Sequence, residues 1–240
     1  DSPDQELIFQ KFETNKTKLF QDEKLNMAYA MIKKAVSHEN LKEKEVSLSN
    51  LIKKTYHKLG ISDAEGYNFE SLYKLAQIAD LAGAVSKNYS GVDLFFEDKV
   101  KELKDGAEDT DKFLIYHIDV LYHLANIYFR KKNFEKSMYY LDQMHEQMQR
   151  SNKRYYIKRI VKYKTLKALN DNFRGQYELA QHQVDEVLES GEHQHPEILN
   201  TVLASAMFKF QQNDFQGAKQ SLLRCYKSDH WYEQKIGMEW

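Results

Sequence analysis

The chain has 240 residues, 42% of them hydrophobic, with 35 basic and 36 acidic side chains and a formal net charge of -1. Balanced charge argues against a nucleic-acid binder, and no apolar run approaches the roughly 18 residues of a membrane span. A single cysteine, Cys225, excludes an intramolecular disulfide and any multi-cysteine metal site.

Only 9 Gly and 2 Pro interrupt the chain. So few breakers over this length predict helices joined by short turns, not a loop-rich β fold. Residues 5–20 place Leu7, Ile8, Phe12 and Leu19 on a rough helical stripe, after a start that Asp1-Ser2-Pro3-Asp4 can cap. Gln21-Asp22 reads as a break. Residues 23–37 then form a return helix with Leu25, Ala28, Ile32 and Ala35 inward. A third helix covers 41–59 and ends at Gly60, where a left-handed residue is easiest without a Cβ. Asn68 is expected to cap the fourth helix, which runs on through Ala84. Asn88–Gly91 is a turn, and 92–103 is helical again with Phe95, Phe96, Val100 and Leu103 as anchors.

The acidic stretch Asp105–Asp111 reads as a solvated linker that caps the next helix; it lacks the ligand pattern of a calcium loop. Three similar units follow. Ala125, Ala168 and Ala206 hold a small position in a first helix, and Phe134, Tyr177 and Phe215 stand nine residues further on. Ser137, Ala180 and Ala218 come three later, then Leu141, Val184 and Leu222, then Met144, Val187 and Cys225. Small residues on facing helices let the two backbones approach closely. Cys225 is expected to be a buried apolar side chain.

The clearest unit is LYHLANIYFRKKNFEKSMYYLDQMHEQM, Leu121–Met148. Leu121, Leu124-Ala125 and Tyr128, then Phe134, Ser137, Leu141 and Met144, resemble the tetratricopeptide (TPR) pattern, with Met in place of the final Ala. The resemblance covers Asp111–Cys225 and, in degenerate form, residues 23–103. Two features depart from it. The units recur at 43 and 38 residues instead of about 34, and Lys167 and Asp171 stand where the second unit should carry Leu and Tyr.

The resemblance implies an all-α fold, a right-handed α-α superhelix (a TPR-like solenoid) of about eleven antiparallel helices. It would divide into an irregular helical-pair region over 1–104, the repeats over 111–229 and the start of a truncated helix over 230–240, where WYEQKIGMEW stops without a cap. A chain that begins at Asp1 also leaves room for an upstream segment or domain. Stacked pairs bury a core that no pair buries alone and leave a concave wall built from first helices. The function implied is a non-catalytic protein- or peptide-binding scaffold.

On that wall the most distinctive segment is KRYYIKRIVKYKTLK, Lys153–Lys167, with seven basic residues and no acidic one. Arg154, Lys158 and Lys162 are four apart and would share a helix face, suited to an acidic peptide segment or a terminal carboxylate. Tyr122, Asn126, Phe129 and Arg130 would extend the wall from the preceding unit. The alternative is a solvated face that balances the acidic linker. A carboxylate clamp of the kind some TPR modules carry would be incomplete, because Met207 and Gln211 match Asn126 and Arg130 in the third unit.

No HExxH, P-loop, GxGxxG or nucleophile-elbow pattern occurs, so neither an enzyme nor a cofactor is expected. His193 and His195 are the only close histidine pair, too loosely framed to predict a metal site. With no signal peptide visible, the expected location is cytoplasmic. Two other functions fit the pattern. One is a regulatory sensor resembling the bacterial peptide-pheromone receptors, and the other is a self-associating structural solenoid.

Overall fold

The computed structural model describes residues 3–40, 48–62, 67–86, 91–105, 113–190 and 197–227. Among them the fold is all-α, with ten α-helices and no strand. The helices are α1 (Pro3–Asn40), α2 (Leu48–Leu59), α3 (Phe69–Ser86), α4 (Val92–Asp105), α5 (Leu114–Arg130), α6 (Phe134–Gln149), α7 (Tyr156–Phe173), α8 (Tyr177–Glu189), α9 (Ile198–Gln211) and α10 (Phe215–Tyr226). They gather into two compact units, Asp1–His123 and Leu124–Trp240, whose boundary falls within α5. The acidic linker beyond Asp105, the His193/His195 turn and the 230–240 segment lie outside the described residues.

The first unit corrects one expectation. Gln21-Asp22 is not a break, and α1 is a single helix of 38 residues. Neither residue is a helix breaker, and no Gly or Pro follows Pro3 until Gly60. Only the second half of α1 packs. Leu25, Ala28, Tyr29, Ile32 and Val36 are buried, and α1 contacts α2 and α3. In the first half Ile8, Phe9, Phe12 and Leu19 are each at least 60% exposed, so the stripe seen in the sequence is not a core face here.

The α3 helix supplies Phe69, Leu72, Leu75, Ala76 and Ala79 to this core, beside Ile52 and Tyr56 of α2 and Phe96 and Val100 of α4. His117 of α5 is buried and stacks on Phe69 at 4.1 Å. Gly60 ends α2 as expected, at φ +62°, with the Ile61 N–H reaching back to the Tyr56 carbonyl at 3.0 Å. Asn68 caps α3 as expected: its Oδ1 accepts from the Ser71 N–H at 2.8 Å, and the Asn68 N–H donates to Ser71 Oγ.

In the second unit the repeated small positions are buried: Ala125, Ala168 and Ala206, and Ser137, Ala180 and Ala218. Ala168, Ala180, Val184, Ala204 and Phe208 form one cluster across α7, α8 and α9. Cys225 is buried against Leu199 and Val202, as the sequence led us to expect. Each helix from α6 to α10 contacts the next, and α7 also contacts α9.

The turns between paired helices share one geometry. Lys132, Gly175 and Asn213 each adopt positive φ, two residues before Phe134, Tyr177 and Phe215. The following N–H reaches back over the helix end each time: Asn133 to the Tyr128 carbonyl at 2.9 Å, Gln176 to Asp171 at 2.8 Å, Asp214 to Lys209 at 2.9 Å. This is the Schellman closure of a helix C-terminus.

The aromatic and apolar repeat positions are less uniform. Phe134 is half-buried, whereas Tyr177 (53%) and Phe215 (58%) are exposed. Leu141 and Val184 are fully buried but Leu222 is 51% exposed. Repetition in sequence therefore does not carry equal burial in every unit.

Candidate binding surface

The last turns of α5 bury Leu124, Ala125, Ile127 and Tyr128. The remaining side of the helix is left to Asn126 and Phe129, both half-buried, and to Arg130, which is exposed. Tyr122, in the first unit, is half-buried with its ring edge-on to His123 at 5.9 Å. Phe129 is held by two other rings. It lies 5.9 Å from Phe134 of α6 and 5.5 Å from Phe173 of α7, and Phe134 and Phe173 stack at 5.7 Å. Three helices thus converge on one aromatic cluster, of which Phe173 is 48% exposed.

The basic segment divides differently from its sequence pattern. The chain leaves α6 through Ser151, Asn152 and Lys153, three consecutive left-handed residues, and α7 starts only at Tyr156. Arg154 therefore lies before the helix and does not share its face with Lys158 and Lys162. Its guanidinium packs over the Tyr155 ring at 5.4 Å, and Lys153 lies 5.8 Å from the Tyr156 ring. Lys158 is exposed on the first turn of α7. Lys162 is half-buried and pairs with Glu197 at 3.0 Å, Lys164 pairs with Glu186 at 2.7 Å, and Lys167 pairs with Asp171 at 3.0 Å. The hydrogen bond and charge of Lys164 hold the Glu186 carboxyl below its ordinary range.

At least three of the seven cations are thus paired with carboxylates of this chain. The Lys164 partner is 22 residues away, and no local spacing announces it. One contact that joins α5 to α7 is the Phe129–Phe173 ring pair, which spacing within one helix cannot show either.

The second unit also holds buried polar groups where the first repeat has Tyr128. Asp171 is buried and accepts from Lys167 and from Gln183 Nε2 at 2.9 Å. Asn172 is buried with neither end of its amide hydrogen-bonded. Tyr163 stacks on His145 at 5.0 Å, and its burial, with Asp142 nearby, pushes the phenol up to about 12.

In the first unit His123 Nδ1 meets Asp80 Oδ2 at 2.5 Å, beside the Tyr73 ring at 5.8 Å. The pair ties α5 to α3. Among the described residues no group of three or more His, Cys, Asp or Glu side chains is placed to hold a metal ion, and no helix is long and apolar enough to cross a membrane. Comparison with protein-family models, with characterised proteins and with solved structures finds no match to this chain.

Proposed function

We propose that the second unit is a TPR-like array, wound as a right-handed superhelix, that binds a peptide or protein segment without catalysis. The observation that carries this reading is the threefold turn geometry at Lys132, Gly175 and Asn213, joined to buried small residues at equivalent places in each helix pair. The packing of α7 against both α8 and α9 supports this reading, since stacked helix hairpins in repeat proteins present an extended surface.

The recognition residues on this reading are Asn126, Phe129 and Arg130 on α5, with Arg154 and Lys158 at the start of the basic segment. Lys162 has a smaller part, because an intramolecular carboxylate already neutralises it. The favoured partner is an extended segment with an acidic residue near an aromatic one. The carboxylate would meet Arg130 or Lys158, and the ring would lie against Phe129 and Phe173.

The full chain can be screened against an array of acidic and neutral peptides, with hits measured in solution at two salt concentrations. Binding should favour acidic members, weaken with salt, and fall about tenfold in the Arg130→Glu/Lys158→Glu variant. Hits that bind this folded variant with unchanged affinity would overturn the assignment.

A further inference from the structure

Residues 5–20 of α1 are exposed except for the half-buried Glu13, yet they include six large apolar side chains. At 3.6 residues per turn, five of these, Ile8, Phe9, Phe12, Leu19 and Phe20, fall within about 120° of the helix circumference. Each of the five is at least 58% exposed. Lys16 stands midway along this face, its ammonium 3.7 Å from Glu13 at the edge. A helical segment of this length is marginal in water by itself and draws most of its stability from packing an apolar face. An exposed face of this kind marks an interaction surface.

The charges narrow the choice of partner. Four lysines and five carboxylates lie between Asp4 and Lys24. An anionic bilayer favours a basic polar face, so this segment does not suit one. Mixed charge beside an apolar stripe suits another helix.

The segment is complementary to itself when reversed. Glu6 and Lys24 are 18 residues apart, about five turns, which puts them on the same edge of the stripe. In an antiparallel pair of like helices, the same edge of each faces the other. Setting Glu6 level with Lys24 of a second copy therefore forms two ion pairs, one at each end, by the two-fold symmetry. The same register brings Phe9 level with residue 21, beside Phe20. There a pocket of about 170 Å³ lies between α1 and the chain just past α2, lined by Phe20, Leu25, Lys24 and Ile61 among others. A cavity of about this size holds a benzene ring, so it accepts the Phe9 ring of the other copy. A parallel pair would put Phe9 against Phe9 and leave this pocket unfilled. The five exposed side chains present roughly 600 Å² on each chain, so a pair would bury about 1,200 Å², enough for a specific but modest interface.

We propose that the first half of α1 is a dimerisation helix, which pairs antiparallel with α1 of a second copy of this chain. The proposal rests on the first unit alone and is independent of the peptide surface assigned to the second.

Sedimentation velocity of the full chain from about 2 to 200 µM tests it, because a dimer of this kind must populate by mass action. The parent should pass from monomer to dimer over this range. Phe12→Glu, at an exposed position, should weaken association about a hundredfold, and Phe9→Ala about tenfold. Glu6→Lys and Lys24→Glu should each weaken it about fivefold, since each sets like charges against one another at both ends. An equimolar mixture of these two variants should recover parental affinity, because both cross-pairs are again opposite in charge. That recovery is specific to the antiparallel register. A parent chain that stays monomeric throughout would overturn the proposal and leave the face to a different partner. A dimer unaffected by Phe12→Glu, or a mixture no tighter than the separate variants, would overturn it as well.

Discussion

Ser137 Oγ donates to the Ala125 carbonyl at 2.8 Å, directly between the two helices of the most regular repeat. Both residues are fully buried, and the contact occupies the place where small side chains let α5 and α6 approach. The equivalent residues of the later pairs are Ala180 and Ala218, which fill the same place without a hydroxyl. Ser137→Ala should therefore cost only the hydrogen bond, about 0.5–1.5 kcal/mol. Ser137→Leu must push the helices apart and should cost at least about 1–3 kcal/mol, with altered cooperativity. Urea denaturation of both variants checks the order, and equal losses would mean that packing is not limiting at this site.

The three left-handed turn residues give a paired prediction. Lys132 is exposed at φ +59°, and Gly175 stands at φ +84° with no atom within 4 Å of the place a Cβ would take. A left-handed residue with a side chain costs about 1–2 kcal/mol, partly offset by the larger entropy glycine loses on folding. Lys132→Gly should raise stability by up to about 1 kcal/mol, and Gly175→Ala should lower it by about 1 kcal/mol. Opposite shifts in thermal midpoint, measured side by side, are the expected result.

These turns also show what a sequence displays and what it hides. Repetition of small residues at Ala125, Ala168 and Ala206 needs only offsets within one hairpin, and Gly60 and Asn68 carry their own backbone chemistry. Such features are local, so a linear pattern displays them. The continuity of α1 is hidden because Gln21-Asp22 interrupts an apolar stripe without interrupting a helix. Polarity marks a change of environment, not a change of backbone. Counting fours places Arg154 on α7, but three non-glycine residues turn left-handed just before it, and nothing in Ser151-Asn152-Lys153 requires that. The basic run reads as one face because its carboxylate partners, Glu186 and Glu197, come from later in the chain. Charge commitment is a tertiary property.

Two buried phenols make the protein sensitive to alkali. Tyr29 and Tyr163 titrate at about 12 when folded against an ordinary value of 10.0, burial being the first cause in both. The unfolded chain therefore releases these protons first. The contribution of these two groups is fully present below pH 10 and is lost as pH rises from 10 towards 12. For Tyr29 a shift of this size corresponds to roughly 2–3 kcal/mol as an upper bound, and for Tyr163, which is less deeply enclosed and more screened by solvent, to less. Tyr163→Phe removes one such group, so its denaturation midpoint should fall less steeply between about pH 9.5 and 11.5 than that of the parent chain. Parallel curves would show that Tyr163 ionises in the folded state at an ordinary pH.

Asp171 takes the position in the second pair that Tyr128 takes in the first, and it is almost wholly buried. Its carboxylate is held by Lys167, whose side chain is 25% exposed, and by the Gln183 amide. Removing only the cation strands a buried charge, so Lys167→Met should cost about 2–4 kcal/mol. Asp171→Leu frees a lysine that can reach water but leaves the Gln183 amide without its acceptor, about 1–3 kcal/mol. The double variant Lys167→Met/Asp171→Leu should be more stable than Lys167→Met alone, because the second change removes the charge that the first left unpaired. A double-mutant cycle from urea denaturation reads this coupling directly. Additive losses would mean that water or Gln183 already satisfies Asp171 and that Lys167 contributes little to the buried site.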